Sequence, residues 1–208
     1  MAKVHPLPLS TESTSSSPSC CCSNSSDNYY TTSKKETFTI WMKSLVMQTN
    51  GCTVYNENGE IVYRVDNYDK KGSSEVYLMD LKGTVLFTIR KLWLFRQWKG
   101  YKSDGLKLKA QKPCFQVRKN SRILKGSSSC EISIRSSNGC YKLEASTGKS
   151  AFKIINRNGG LMAKATRKQT STGVVLGDDV LKLVVEPQVD HSFIMALVTV
   201  YGLIHHRL

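Results

Sequence analysis

Acidic side chains are scarce in this chain. Sixteen Asp and Glu stand against thirty Lys and Arg, a formal net charge of +14. The first thirty-three residues hold only Lys3, Glu12 and Asp27, so residues 34–208 carry a net of +15. A folded domain this basic calls for an acidic partner (lipid headgroups, nucleic acid or an acidic protein), or uses its charge for solubility alone. Long apolar runs are missing too. The longest uncharged stretch near the C-terminus is the twelve residues Phe193 to Ile204, short of the roughly 20 that a spanning helix needs. No Cys-x-x-Cys spacing occurs among seven cysteines, which argues against a zinc site. No apolar leader follows Met1, and Ala2 replaces the glycine that N-myristoylation requires. An odd cysteine count without such a leader fits reduced thiols, so the expected location is intracellular, cytoplasm or nucleus, or peripheral at the plasma membrane. No glycine loop for phosphates and no nucleophile motif is present, and the expectation is a protein that is not an enzyme and uses no metal or cofactor. His191 beside Asp190 suggests a base with its orienter, but neighbours in a helix do not face each other.

Residues 1–33 read as a disordered tail. Ten are serine and few are apolar, so the segment cannot bury enough surface to offset its ordering entropy. The Cys20-Cys21-Cys22 triplet is a candidate for S-palmitoylation. From residue 34 to 208 a single domain is expected. Polar and apolar residues alternate from Thr37 to Met42, and short strand patterns follow at Cys52–Tyr55, Glu60–Asp66, Glu75–Leu81 and Thr84–Arg90. More lie at Leu92–Gln97, Phe115–Lys119, Cys130–Arg135, Cys140–Ala145, Ala151–Ile155, Leu161–Arg167, Gly173–Leu176 and Val180–Val185. Asn58-Gly59, Lys82-Gly83, Asn138-Gly139 and Asn158-Gly159 sit between strand pairs, where residues tolerant of positive φ make hairpin turns.

A helix that is apolar on every face must be buried. The run from Phe193 to Ile204 is therefore expected inside the protein. Pro187 suits a first turn, Asp190 the positive end of the dipole, and His205, His206 and Arg207 the negative end. About twelve strands and one such helix predict a mainly β fold: a closed antiparallel barrel around a buried C-terminal helix.

The densest charge lies in Arg90–Lys125, where twelve basic residues accompany one acid, Asp104. Aromatic residues are interleaved. The predicted ligand-binding set for an anionic headgroup is Arg96, Lys99, Lys102, Lys107 and Lys109, with Trp98 and Tyr101 as interfacial anchors. The same pattern also describes a strand with aromatics inward and solvated cations outward. Anionic phospholipid at a membrane surface, or a regulatory partner, is expected to dock there, with nucleic acid the second choice and a protein-interaction scaffold with no charged ligand the third.

Several segments carry a resemblance to a known family. They are Val54 to Asp66, Leu78-Met79-Asp80-Leu81-Lys82-Gly83, Thr88-Ile89-Arg90-Lys91 with Trp98, and above all Val185-Glu186-Pro187-Gln188-Val189-Asp190-His191-Ser192-Phe193-Ile194. From about Lys34 to Leu208 the chain resembles the LURP-one-related family of plant proteins. The resemblance implies a tubby-like barrel of about twelve strands threaded by a C-terminal helix. The wider superfamily includes phospholipid scramblases and tubby-type membrane-tethered transcription regulators, and the family is associated with plant defence. No stretch here matches the phosphoinositide contacts of tubby proteins, and no acidic cluster resembles a calcium loop, so no ligand residue is carried over.

Overall fold

A computed structural model of the chain describes residues 27–42, 51–66, 75–92, 97–103, 112–120, 127–135, 139–146 and 151–205. Twelve strands run in order: β1 (Glu36–Trp41), β2 (Gly51–Tyr55), β3 (Ile61–Asp66), β4 (Glu75–Asp80), β5 (Val85–Leu92) and β6 (Gln97–Lys102), then β7 (Phe115–Asn120), β8 (Ser127–Ile134), β9 (Cys140–Ser146), β10 (Phe152–Ile155), β11 (Leu161–Arg167) and β12 (Val180–Val185). Each pairs antiparallel with its neighbours in sequence. β12 returns to β1, from Glu36↔Val185 to Trp41↔Val180, and the barrel closes. Closure leaves no sheet edge for another strand to pair with.

Period-two patterning dictates which face turns inward. In β8, Cys130, Ile132 and Ile134 are buried while Glu131 and Ser133 are exposed. In β12, Leu181, Leu183 and Val185 are buried and Lys182 faces out. The inward side chains meet the helix α1 (His191–Ile204), of whose fourteen residues twelve are buried. At about 1.5 Å per residue the helix is roughly 21 Å long, close to the length of a six-residue strand. It thus fills the bore from end to end. Phe193 meets Phe115 and Tyr141 edge-on, and Tyr201 lies 4.2 Å from Phe152 between ring centres. Thr199 disposes of its buried hydroxyl by donating to the Met195 carbonyl at 2.9 Å. Each large apolar side chain held here contributes about 1.5–3 kcal/mol over its exposed state.

Asp190 starts the helix. Its Oδ1 accepts from the Ser192 amide at 2.8 Å, the Ser192 hydroxyl at 2.6 Å and the Phe193 amide at 3.1 Å. Pro187, expected in the first turn, instead lies in the turn before the cap, where Gln188 takes φ 61°. The chain must reverse from β12 into the bore, and that reversal uses the residues between them. At the far end His205 caps the helix, its amide donating to the Tyr201 carbonyl at 3.1 Å. His206 and Arg207 lie outside the described residues.

The asparagine-glycine turns form by one repeated device. Asn56 Oδ1 accepts from the amides of Asn58 and Glu60, and Asn156 Oδ1 from those of Asn158 and Gly160. Gly59 and Gly159 both take φ 80°, the left-handed region that disfavours a side chain. Leu92 ends β5 and Gln97 begins β6, and residues 93–96 of the strand predicted at Leu92–Gln97 lie outside the described residues. Residues 173–176 form no strand beyond the single bridge Gln169↔Val175, because neither face of that segment is covered.

Residues 27–33, counted with the tail by composition, lie against the barrel. Asp27–Tyr30 form a 3-10 turn, Thr31 bridges Asp190, and the Gln188 amide donates to the Thr32 carbonyl at 2.8 Å. Tyr30 packs on the core. This strap crosses the barrel end at which α1 begins.

Candidate functional site

Of the predicted basic set, Lys99 and Lys102 fall among the described residues, on opposite faces of β6. Arg96, Lys107 and Lys109 lie outside the described residues. On β6 the pleat alternates, so Lys99 and Tyr101 share the outer side while Trp98, Gly100 and Lys102 share the inner one. Trp98 is only 5% exposed and belongs to the core, which removes it as an interfacial anchor. Its Nε1 has no hydrogen-bond partner among the described residues. Lys102 is half-buried opposite Phe87. Nearby charge is already engaged. Arg90 pairs with Glu75 at 2.6 Å and lies over the Tyr101 ring, and with the Gln97 amide turned so that its oxygen faces β7, Arg118 donates to it at 2.8 and 3.0 Å. Among the described members of the set, Lys99 and Tyr101 are the pair that stands together on the outer wall.

A second basic face escaped the sequence reading. Here a groove of about 580 Å³ runs along the outer side of β12, β1 and β2. Thr37, Thr39, Trp41 and Tyr55 form its floor, with Trp41 and Tyr55 edge-on at 5.9 Å. Lys168 and Lys182 line it against the single acid Glu57, and Lys164 stands outward on the neighbouring β11. None of these three lysines forms an ion pair among the described residues, although Lys168 donates to Thr39 Oγ1 at 2.7 Å. On β9 and β10 the wall is neutralised. Lys142 and Lys153 both grip Glu144, at 2.6 and 3.0 Å, and their hydrogen bonds hold its carboxyl below the usual carboxylate range.

The connection from β11 to β12 rises beside this groove. A turn closed by the Thr170 amide on the Val174 carbonyl and the Gly173 amide on the Thr170 carbonyl presents Val174, Val175 and Leu176 to solvent. They are 61%, 42% and 48% exposed. Six large hydrophobic side chains are exposed among the described residues, and half of them are this consecutive triplet. The signal was present in the sequence as Val174-Val175-Leu176, but it reads there as a strand.

The adjacent pair Asp190 and His191 carries no catalytic arrangement. Asp190 is spent as the helix cap, and His191 Nδ1 meets the Tyr63 hydroxyl at 2.5 Å instead. Burial pulls His191 below its ordinary range, with Asp190 and Glu36 acting the other way. Burial pushes the Cys52 thiol up to about 12 and Cys130 to about 11, so neither supplies a thiolate near neutral pH. Among the described residues no group of three or more His, Cys, Asp or Glu is placed to hold a metal ion, and no helix is long and apolar enough to cross a membrane.

Comparison with known proteins gives a consistent result. The family model for LURP-one-related proteins matches residues 36–202. LURP-one-related 4 of Arabidopsis thaliana is 50% identical over 82% of this chain and 79% of its own length. LURP-one-related 11 of the same plant is 45% identical over 83% and 79%. The X-ray structure of another Arabidopsis thaliana protein superposes with a TM-score of 0.63, covering 86% of this chain and 96% of that one, at 15% identity. That likeness concerns the fold alone.

Proposed function

From its membership of the LURP-one-related family, to which this chain belongs, we propose that it is a non-enzymatic binding module that docks on an anionic phospholipid surface. The observation that carries this reading is the aliphatic triplet Val174-Val175-Leu176, exposed beside Lys168 and Lys182. A bilayer rewards both features. Each lysine near an anionic leaflet contributes about 1 kcal/mol, and apolar surface leaving water contributes roughly 25 cal/mol per Å². Nucleic acid would use the lysines but offers nothing to three aliphatic side chains. Trp41 and Tyr55 add rings of the kind that favour the headgroup level. A role in plant defence, and kinship in function with scramblases and tubby-type regulators, follow from the family resemblance as part of the same proposal.

Flotation with vesicles containing phosphatidylserine or phosphoinositide, against pure phosphatidylcholine and against DNA retention at matched salt, tests it. The expected result is binding to anionic vesicles that weakens as salt rises. Reversing Lys168 and Lys182 to Glu, or replacing Val175 and Leu176 with Asp, should remove most of it. Reversing Lys99 and Lys102 is the comparison arm. If that pair abolishes flotation and the groove pair does not, the docking face is β6. Retention of DNA but not vesicles would overturn the lipid reading.

A further inference from the structure

The barrel end at which α1 begins holds a cleft of about 930 Å³, within the usual size of ligand sites. It lies between the strap, the tips of the β2–β3 and β4–β5 hairpins and the first turn of the helix. Its walls are aromatic and aliphatic, drawn from Tyr30, Phe38, Ile61, Tyr63 and Leu81. The rings form a connected set. Tyr30 lies edge-on to Tyr29 at 5.2 Å and to His191 at 5.6 Å, and Phe38 lies 5.4 Å from His191. Tyr29 and Leu81 stand at the rim, 82% and 66% exposed. They are the two most exposed large hydrophobic groups among the described residues.

The charge of this cleft is opposite to that of the chain. Glu36, Glu60 and Asp80 line it against the single cation Lys82, which leaves two net negative charges on a protein of +14. None of the three carboxylates forms an ion pair among the described residues. Glu60 accepts from Asn56 Nδ2 at 2.7 Å and Asp80 from the Thr84 amide at 2.8 Å, both neutral donors. His191 is kept neutral by its burial and does not cancel them. Burial, with Asp80 and Asp190 adding to it, also raises the Tyr30 phenol, which therefore stays protonated and uncharged.

We propose that this cleft binds an organic ammonium ion with an aliphatic body, its charge held between Glu36, Glu60 and Asp80 and its alkyl surface against Tyr29, Tyr30 and Leu81. Aromatic faces attract such ions, and more strongly as water is excluded. An inorganic cation would leave the rings unused, and a neutral apolar ligand would leave the carboxylates unused. The site is independent of the lipid-docking groove, since the two surfaces share only Asn56 in their linings. The ammonium group occurs both in free amines and in choline headgroups.

Titration calorimetry on the full chain, with choline and spermidine as probes and 3,3-dimethyl-1-butanol as the neutral shape-match of choline, tests the proposal. The expected result is binding of an ammonium probe at least about tenfold tighter than the neutral alcohol. Glu36→Gln with Asp80→Asn should weaken it by about tenfold or more, since the amide at residue 80 still accepts from Thr84 and keeps the turn. Tyr29→Ala, an exposed and structurally mild change, should weaken it as well. The thermal midpoint of each variant is read alongside. Equal affinity for the neutral alcohol, absence of binding by both amines at millimolar concentration, or a folded carboxylate variant with unchanged affinity would each overturn it. Phosphatidylcholine vesicles separate the sources. Retention that free choline competes away assigns a lipid headgroup, and amine binding without retention assigns a soluble amine.

Discussion

Gly100 shows how one missing side chain sets local geometry. It lies on β6 opposite Phe115 of β7, and a Cβ there would fall on the Phe115 ring. The ring thus occupies the space that a side chain would take. Overpacking a core of this kind costs about 1–3 kcal/mol. Gly100→Ala should lower the thermal midpoint by roughly 2–4 °C per kcal/mol, read by calorimetry or circular dichroism. An unchanged midpoint would show that Phe115 swings away freely. Nothing in the sequence marks this pairing, because the partner is fixed by strand register. The alternation that sends Trp98 inward and Lys99 outward was legible, as one of two readings of an aromatic and basic run. What the sequence could not decide was which cations would be neutralised, since Arg90 meets Glu75 only through the pairing of β4 with β5.

At the scale of elements, the helix was legible because twelve uncharged residues have only one stable place in a β protein. The hairpins were legible because asparagine and glycine carry their conformations locally. The strap was not. Tyr29 and Tyr30 follow a serine-rich stretch, and only the contacts of Tyr30 with Tyr63 and His191, and of Tyr29 with Tyr30, show where they belong. The two segments should therefore separate in a truncation series. Removing residues 1–26 leaves every described contact in place and should shift the thermal midpoint little. Removing residues 1–33 takes Tyr30 from the core and the Thr31 and Thr32 backbone partners from the turn before α1. That loss should cost about 1–3 kcal/mol and lower the midpoint by several degrees. Equal midpoints for both truncations would show that the strap carries no stability. The apolar tip at Val174 misled the reading for the opposite reason. Its residues have strand propensity, but propensity without burial makes no strand.

Over the whole molecule the barrel separates three chemistries. Its interior is apolar, one outer groove is basic and aliphatic, and one end is aromatic and acidic. A composition of +14 reports only the sum, so it signalled an excess of cations without placing the groove and concealed the acidic end. Both candidate surfaces are assembled from residues far apart in sequence: Trp41 with Lys182, and Tyr30 with His191.

The seam between β1 and β12 has a temporal consequence. Its paired residues, Glu36 with Val185 through Trp41 with Val180, lie almost the whole length of the domain apart. The helix that fills the bore follows β12. During synthesis the inward faces of eleven strands are therefore complete before their closing partner and plug exist. Non-local pairing of this kind is slow, in the millisecond-to-second range, and leaves apolar surface uncovered meanwhile. A chain stopped after Arg167 should fail to give a cooperative unfolding transition and should be cut rapidly by protease, whereas the full chain resists. If the stopped chain proves protease-resistant, the barrel has an alternative closure that does not need its last strand.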